Sequence, residues 1–398
     1  MRIAVLVSGG VDSAVALRML AAAGHEVHAF YLKVWLADEM AHLGTCPWQE
    51  DLLYARAVCN AAQIPLGVVA LQQAYHQHVV ADALAELAAG RTPSPDIGCN
   101  RHVKFGAFFQ ELERLGHGFE RVATGHYART ETQGTGSDAR TRLLRGVDPV
   151  KDQTYFLYRL QQAQLARLCF PLGGLLKSEV RARAHDLGLP NRDRPDSQGI
   201  CFLGSVRYDR FVEASLGTRR GWIREARSGR RLGRHRGIWF HTIGQRRGLG
   251  LGGGPWYVVG KDVARDELWV AHGKELAAWH RRRFTIGRPH WIAGPPDGLV
   301  AGGETRLTVK VRHTPEAVGC EVRCQPPEAT ARPPAGPHPA PGTALEVTLE
   351  RADPGLADGQ PAVLYDGDVC LGGGILSTGA DPRRFPTDPG VEPATRAG

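Results

Sequence analysis

The chain opens with MRIAVLVSGGVDSAVALRML, residues 1–20, in which five apolar residues lead directly into a short polar loop. Residues 3–7 are apolar and partly β-branched, which is typical of a strand buried on both faces. From Val11 onward, apolar residues recur at helical spacing, and Gly24 supplies a stop signal at the C-terminal end. The stretch therefore predicts a strand, a loop and a helix in immediate succession.

The loop between strand and helix, SGGVDS at residues 8–13, has the composition of a phosphate-binding loop. Its glycines allow backbone N–H groups to approach a ligand closely, and the helix N-terminus favours negative charge. It is not the common P-loop, because no Gly-Lys-Ser/Thr follows at the spacing of that motif. A plain glycine-rich turn is the alternative, and the complete motif directly after a strand makes it the weaker one.

Length and composition indicate a globular protein of two or three domains. The chain has 398 residues, of which 42% are hydrophobic and 23% charged. No apolar run is long enough to span a bilayer. The chain enters its first strand without a signal peptide, so we expect a cytoplasmic protein with no membrane contact.

The pattern along the chain predicts three domains. Strands and helices alternate up to about residue 200, in EVHAFYLKVW, QEDLLYARAVCNAAQ, LGVVAL, YHQHVVADALAELAAG and RVATGHYA. This is typical of an α/β domain with a parallel sheet, in which ligands bind at the carboxyl ends of the strands. Short strand-like runs after residue 280 predict a small barrel. The expected boundaries are 1–204 for the nucleotide-binding domain, 205–278 for a small central domain, 279–380 for a β-barrel domain with an exposed proline-rich loop at 326–342, and 381–398 for a disordered tail.

Positive charge is concentrated in residues 205–250. This segment holds twelve arginines and no lysine against three acidic residues, a net +9 in a chain whose total is +8. Because arginine binds phosphate in a bidentate way, such a block predicts a polyanionic partner. A coding bias toward arginine explains the choice of residue but not the clustering.

Eight scattered cysteines, with no Cys-x-x-Cys pair, exclude a zinc site of the usual spacing. Cys99 follows Asp96 and precedes Arg101, His102 and Lys104, and nearby cations lower a thiol pKa. Cys201 follows DSQGI, and a transient disulfide between Cys99 and Cys201 is geometrically possible if both lie on loops of one domain. We interpret the other six as buried apolar residues: Cys46, Cys59, Cys169, Cys320, Cys324 and Cys370.

Several motifs, in order along nearly the whole chain, resemble one branch of the PP-loop ATP pyrophosphatases, the tRNA-specific 2-thiouridylases. They are SGGVDS, PSPDIGCNRHVKF, ATGHYAR, KDQTYFL, RPDSQGICFLG, HTIGQRRGLG, PWYVVGKD and DGQPAVLYDGDVCLGGGI. The resemblance implies an adenine nucleotide α-hydrolase-like N-terminal domain, a small central domain and a C-terminal β-barrel-like domain.

The resemblance also implies the reaction and its site residues. ATP, with Mg²⁺, binds at Leu6, Val7, Ser8, Gly9, Gly10, Val11, Asp12, Ser13, Leu32 and Gly125. The O2 atom of the wobble uridine of specific tRNAs is adenylated, and Cys201 carries the incoming sulfur as a persulfide. Cys99 then forms a disulfide with Cys201, and Asp96 acts as acid or base beside the target base. A reductant restores the thiols.

The same resemblance implies partners and RNA contacts. The tRNA contacts are Ser94, Pro95, Asp96, His126, Lys151, Asp152, Gln153, Arg312, His313 and Gln360. A cysteine desulfurase or a sulfur-relay protein donates the sulfur, and no resident metal site is expected in the protein itself. Without tRNA we expect a monomer. Two alternatives are another PP-loop ligase or amidotransferase, which needs no paired thiols, and a catalytically silent tRNA-binding module, which needs neither thiols nor Asp12.

Overall fold

The computed structural model describes residues 1–34, 48–116, 118–196, 207–299, 302–325, 344–379 and 385–386. The N-terminal sheet is parallel, as expected from the alternating pattern, and its strand order is β3-β2-β1-β4-β7. The strands up to residue 205 are β1 (Arg2–Leu6), β2 (Glu26–Lys33), β3 (Leu66–Ala70), β4 (Arg121–Ala123), β5 (Ala128–Gln133), β6 (Arg140–Arg145) and β7 (Leu168–Cys169).

Helices cover both faces of this sheet. They are α1 (Val11–Ala22), α2 (Trp48–Ala61), α3 (Gln72–Tyr75), α4 (Ala81–Ala88), α5 (Pro95–Gly98), α6 (Phe108–Leu115), α7 (Gln162–Leu165) and α8 (Lys177–Asp186), with π-helical segments at His76–Val80 and Cys99–Ala107. The predicted strand, loop and helix at the N-terminus are confirmed, and Gly24 has the positive φ of a helix stop. None of the helices in these ranges is long and apolar enough to cross a membrane.

One predicted strand is shorter than its sequence pattern. RVATGHYA forms strand β4 only as far as Ala123, and the chain then bends through Thr124–Tyr127 before β5 begins at Ala128. β5 and β6 form a hairpin that leaves the parallel sheet and pairs with the C-terminal sheet. The bend places polar residues at the carboxyl end of β4, beside the loop that follows β1.

The central part of the chain is a small sheet. After helix α9 (Tyr208–Leu216), the strands β8 (Gly221–Glu225), β9 (Arg231–His235), β10 (Trp256–Asp262) and β11 (Glu267–His272) pair in the order β10-β11-β8-β9. Apolar residues on this sheet, including Ile223, Val258 and Leu268, form a core cluster of their own.

The predicted C-terminal barrel is confirmed as a closed ring of six strands. They are β12 (Arg281–Trp291), β13 (Glu304–Lys310), β14 (Val318–Gln325), β15 (Ala344–Asp353), β16 (Pro361–Asp366) and β17 (Val369–Ser377). The order β12-β15-β14-β13-β16-β17 is closed by pairing between β12 and β17, and the β5–β6 hairpin extends it from β17. The proline-rich segment predicted as an exposed loop lies outside the described residues.

A buried ion pair joins the barrel to the N-terminal domain. Lys310 of β13 donates to Asp152 at 2.9 Å, and both side chains have no accessible surface. Thr154 and Arg145 also donate to this carboxylate. Burial alone would raise the pKa of Asp152, but the charge and hydrogen bond of Lys310 outweigh it and hold that pKa below its usual value. The two domains are thus fixed to one another at Asp152.

Four of the cysteines interpreted as buried apolar residues are buried, namely Cys59, Cys320, Cys324 and Cys370, while Cys169 is half-buried and Cys46 lies outside the described residues. Phe385 lies within the segment predicted as a disordered tail. Its ring stacks on Trp269 at 4.9 Å and on Trp279 at 5.4 Å between centroids, so this part of the tail packs against the central domain.

Candidate active site

The loop at residues 8–13 is held in shape by its own side chains. The backbone N–H of Ser8 donates to Ser13 Oγ at 3.1 Å, and Ser13 Oγ donates to the Gly10 carbonyl at 3.1 Å. Gly9 has φ +76°, and a Cβ there would lie 2.4 Å from the Asp51 carbonyl oxygen, so only glycine fits. No side chain caps the N-terminus of α1. The first N–H groups of this helix therefore remain directed at whatever ligand binds the loop.

The bend after β4 comes into contact with this loop at Gly125. A Cβ on Gly125 would lie 2.8 Å from the backbone nitrogen of Ser13. The neighbouring Thr124 hydroxyl lies 2.8 Å from His126 Nδ1, a hydrogen bond that orients the imidazole. The SGGVDS loop and the bend at Gly125, more than a hundred residues apart in the sequence, thus form one wall of the candidate site.

Replacing Gly125 with alanine is expected to weaken ATP binding at least about tenfold, because the added methyl displaces Ser13 and misplaces the phosphate donors. Titration of the purified variant with ATP measures this effect. Gly174→Ala is the matched control, since a Cβ at Gly174 meets no atom within 4 Å. Equal ATP affinity in both variants would show that the contact at Gly125 does not shape the nucleotide site.

A network of charged side chains lies on the other side of Asp12. Asp12 Oδ1 accepts hydrogen bonds from Tyr127 Oη at 2.9 Å and from Lys177 Nζ at 2.6 Å. Lys177 Nζ also contacts Asp196 Oδ1 at 2.8 Å, and Lys151 Nζ donates to Asp196 Oδ2 at 2.6 Å. Lys177 therefore connects the nucleotide loop to Asp196, five positions before Cys201.

The protonation states in this network are fixed by its geometry. Burial would raise the pKa of Asp196, but hydrogen bonds and charge from Lys151 and Lys177 prevail and hold that pKa well below its usual value. Burial, together with the Asp12 carboxylate, raises the pKa of Tyr127, which stays a protonated donor. Asp196 is therefore a carboxylate at neutral pH, and Tyr127 donates its hydroxyl proton to Asp12.

A second cluster contains Asp96, which lies on α5 one turn before Cys99. Burial raises the pKa of Asp96, against the lowering effect of Lys104 and His313. Burial, with the charge of Lys104, holds the pKa of His126 well below its usual value, so His126 is neutral at pH 7. Phe105, on the π-helical segment that follows α5, packs its ring against His126 with centroids 6.1 Å apart, so this segment contacts the bend after β4. A carboxyl with a raised pKa at such a place can transfer protons.

The cationic neighbourhood expected around Cys99 is smaller than its sequence suggests. Burial and the charge of Arg101 lower the pKa of His102 to about 4, so this imidazole is uncharged at neutral pH. Arg101 and His102 line a separate cavity, described below, whereas Lys104 lies toward Asp96. Cys99 is buried at the start of the π-helical segment. Cys201 lies outside the described residues.

The remaining residues assigned to RNA fall into two groups. Half-buried His313 lies 3.0 Å through Nε2 from the Asp152 carbonyl and packs on Phe156, close to Asp96. In the sequence, Gln360 lies between Gly359 and Pro361, which line the same cavity as Ser94 and Pro95. By contrast, the carboxylate of Asp152, also predicted as an RNA contact, has no accessible surface and is bonded to Lys310.

Gln153 and Arg312 also make contacts inside the protein. Gln153 Oε1 accepts a hydrogen bond from the Tyr127 backbone N–H at 3.0 Å, and the Gln153 backbone N–H donates to the Tyr127 carbonyl. The Arg312 guanidinium is paired with Asp353 on the barrel. Gln153 thus orients Tyr127, and through it Asp12, from within the protein.

Carboxylates neutralise part of the positive charge of residues 205–250 in the folded chain. At least seven of its twelve arginines contact carboxylates, and several of those belong to a later segment, at Asp266, Glu267 and Glu275. Arg246 and Arg247 are exposed, on a loop stabilised by Gln245, whose side chain donates to the Arg247 carbonyl at 2.8 Å. The net charge available to a partner is therefore concentrated at a few exposed arginines.

Three polar residues of the site were missed from the sequence, namely Tyr127, Lys177 and Asp196. Tyr127 and Asp196 lie within ATGHYAR and RPDSQGICFLG, so a closer reading of those motifs could have found them. Lys177, at the start of α8, carries no local signal. Among the described residues no cluster of three or more potential metal ligands exists.

The chain is similar to curated proteins over nearly its whole length. It is 39% identical over 378 residues to the tRNA-specific 2-thiouridylase MnmA of Parabacteroides distasonis, which covers 94% of this chain and 99% of the relative. It is 40% identical over 379 residues to the tRNA-specific 2-thiouridylase MnmA 1 of Bacteroides thetaiotaomicron, covering 95% and 100%, respectively. The corresponding Porphyromonas gingivalis protein is 40% identical over 387 residues, with 95% and 100% covered.

Three family models match in the order of the domains. They are described as a tRNA methyl transferase HUP domain at residues 1–205, a tRNA methyl transferase PRC-barrel domain at 209–272 and an aminomethyltransferase beta-barrel domain at 337–376. The descriptions of the family models mention methyl transfer, whereas the names of the relatives refer to thiolation. We assign the family from the relatives, because they match this chain over their whole length. The chain belongs to the family of tRNA-specific 2-thiouridylases.

Proposed function

We propose that this protein uses ATP to replace O2 of the wobble uridine of specific tRNAs with sulfur. The observation that carries the proposal is the contact of the SGGVDS loop with the bend at Gly125. The next residue, His126, packs its ring 6.1 Å from that of Phe105, on the π-helical segment that begins at Cys99. This arrangement supports a site in which a phosphate-binding loop lies near an acid/base residue and a cysteine. Activation of a base by adenylation and attack by sulfur need those groups in one cleft.

In the first step, the uridine O2 attacks the α-phosphorus of ATP, and pyrophosphate leaves. The N–H groups of the loop and Ser8 and Ser13 hold the phosphates, while Leu32 and Gly125 lie beside the nucleotide. Lys177, 2.6 Å from Asp12, balances charge that develops on the leaving pyrophosphate. Asp12 is the residue of this loop that would help to hold Mg²⁺, and the ion would neutralise phosphate charge when bound.

In the second step, the terminal sulfur of a persulfide on Cys201 attacks C2, and AMP leaves. Cys99 then attacks Sγ of Cys201, which forms the Cys99–Cys201 disulfide and releases the 2-thiouridine. If Cys99 instead attacks first and releases hydrosulfide as the nucleophile, the same disulfide remains. Asp96 transfers a proton near the base, consistent with its raised pKa. A reductant then returns both cysteines to thiols.

We also propose that the sulfur comes from a cysteine desulfurase or a sulfur-relay protein, and that the enzyme works in the cytoplasm as a monomer until it binds tRNA. Ser94, Pro95, His126, Lys151, His313 and Gln360 remain proposed RNA contacts. Cysteines in two of the motifs shared with the 2-thiouridylases, Cys99 and Cys201, favour sulfur transfer over the amide-forming PP-loop reactions.

Mass spectrometry of tRNA nucleosides from cells that lack the protein tests the function. We expect 2-thiouridine derivatives to disappear from the affected tRNAs and to return when the gene is restored. Purified enzyme with ATP, tRNA and a persulfide donor should form the same nucleoside and release one pyrophosphate per thiolated base. Unchanged 2-thiouridine in the deletion strain would contradict the proposal, and amide formation would favour the alternative.

Arg246→Ala combined with Arg247→Ala is expected to lower tRNA affinity about tenfold and to flatten its salt dependence. Each phosphate contact that is lost removes about one unit from the slope of log K against log [salt]. Filter binding at several salt concentrations measures both quantities. The control pair, Arg227→Ala with Arg323→Ala, removes the same charge from arginines that already pair with Glu275 and Glu304. Equal slopes in the two variants would place the RNA elsewhere.

A further inference from the structure

Two adjoining cavities lie beside the α5 segment, separate from the nucleotide loop. Their volumes are about 530 and about 520 Å³, within the range of sites that hold small ligands. Both are lined by Gln77, His78, Arg101 and His102, so they form one continuous cleft, which we call the Arg101 cleft. Ser94 and Pro95, proposed contacts of the reacting base, line the same cleft.

The Arg101 cleft contains two neighbouring guanidinium groups. Burial and the charge of Arg159 lower the pKa of Arg101 from its usual value, although an arginine remains charged in a protein. Neither Arg101 nor Arg159 forms an ion pair with a carboxylate in the described part of the chain. Asp82 and Glu86 also line this part of the cleft, and Glu86 pairs with Arg91. Two half-buried guanidinium groups that pair with no carboxylate are costly unless an anion joins them.

A buried tyrosine lies at the same place. The Tyr158 side chain is fully buried, and its hydroxyl interacts with the neighbouring Arg159 side chain. Burial raises the pKa of Tyr158 to about 12, so the phenol stays protonated at neutral pH. Both residues line the cleft, and the contact with Tyr158 helps to hold the Arg159 guanidinium at its wall.

The other end of the cleft suits a nucleobase. The imidazoles of His78 and His102 stack with centroids 5.2 Å apart and planes 23° from parallel, which makes a flat surface. His102 is neutral at pH 7, as its pKa of about 4 requires. Amide side chains of Gln73, Gln77 and Gln110 line the adjoining wall. RNA loops are recognised by stacking on flat side chains and by hydrogen bonds to base edges.

We propose that the Arg101 cleft binds a nucleotide that flanks the reacting uridine in the tRNA loop, with its phosphate between Arg101 and Arg159 and its base against the His78–His102 pair. This inference rests on the proposed function and names the part of the substrate that the enzyme recognises besides the target base. The geometry favours RNA over an acidic protein segment, because the anion-binding end and the flat end lie in one cleft that reaches Ser94. The cleft therefore sets which loops are thiolated.

A double-mutant cycle between protein and RNA tests the proposal. The RNA is an anticodon stem-loop hairpin in which one phosphate beside the reacting uridine is replaced by a neutral methylphosphonate. With wild-type enzyme we expect one such position to lower kcat/KM for thiolation about tenfold. With Arg159→Gln, kcat/KM on the unmodified hairpin falls by a similar factor, and the methylphosphonate causes no further loss. Arg159→Lys should recover part of the rate.

Arg323→Gln, which removes an exposed charge from the barrel, is the matched control and should retain the full methylphosphonate effect. Thermal unfolding of each variant excludes loss of fold as the cause. Additive effects of Arg159→Gln and the methylphosphonate at every flanking position would overturn the proposal. The proposal would also be overturned if Arg159→Gln left the effect of the methylphosphonate unchanged but raised the concentration of sulfur-donor protein that thiolation requires. That result would assign the cleft to the sulfur-donor protein. If wild-type enzyme forms no 2-thiouridine at all, the proposed function fails instead.

Discussion

Cys201→Ser is expected to abolish thiolation of tRNA, with a loss of at least about a thousandfold, while pyrophosphate release persists. In the proposed mechanism this substitution removes the covalent carrier of sulfur, whereas the SGGVDS loop with Asp12 and Lys177 is unchanged. No protein-bound persulfide should form when the variant is incubated with a sulfur donor. Mass spectrometry of the intact protein and of the tRNA nucleosides measures the two products.

Cys99→Ser distinguishes the proposed roles of Cys99 and Cys201. The variant should still accept a persulfide on Cys201, yet turnover should stop, because no thiol resolves the intermediate. In wild-type protein, one turnover without reductant should leave a Cys99–Cys201 disulfide that non-reducing peptide mapping detects. Cys324→Ser, in the barrel, is the control and should thiolate normally. Normal thiolation with either Cys99 or Cys201 replaced would contradict the persulfide mechanism.

The sequence predicted the N-terminal strand, loop and helix because those features depend on local chemistry. Apolar periodicity, two glycines and a stop at Gly24 act within about twenty residues. The strand expected in RVATGHYA ended early, since the requirement there is tertiary: Gly125 must approach Ser13, and the chain has to bend to allow it. Periodicity along one segment contains no information about such a contact.

The charged residues show the same limit. Near Cys99, sequence proximity grouped Arg101, His102 and Lys104, but helical geometry directs them to different surroundings, and burial leaves His102 neutral. Asp152 matched a family motif, yet the fold bonds it to Lys310, 158 residues away in the chain. Lys177 has no local signal because its role comes from contacts with Asp12 and Asp196, which only the folded chain supplies.

Lys177→Met is expected to lower pyrophosphate release at least about a hundredfold and to leave tRNA affinity nearly unchanged. The substitution keeps the length of the side chain but removes the ammonium group that lies 2.6 Å from Asp12 and 2.8 Å from Asp196. Loss of one preorganised group that stabilises developing charge typically costs about 100- to 1,000-fold in kcat. Asp12→Asn should have a comparable effect, because it disrupts the same loop from the other side.

The double variant, Asp12→Asn with Lys177→Met, should be little worse than either single variant, since residues that act as one unit give non-additive losses. Pyrophosphate release and tRNA binding, measured on the same preparations, separate the chemical step from RNA recognition. Asp186→Asn removes an exposed carboxylate at the far end of the helix that Lys177 begins, and this control should behave as wild type. If Lys177→Met released pyrophosphate at the normal rate, the ammonium group would serve only to hold Asp12 and Asp196 together. The leaving phosphates would then be neutralised by the loop N–H groups and the metal that accompanies ATP.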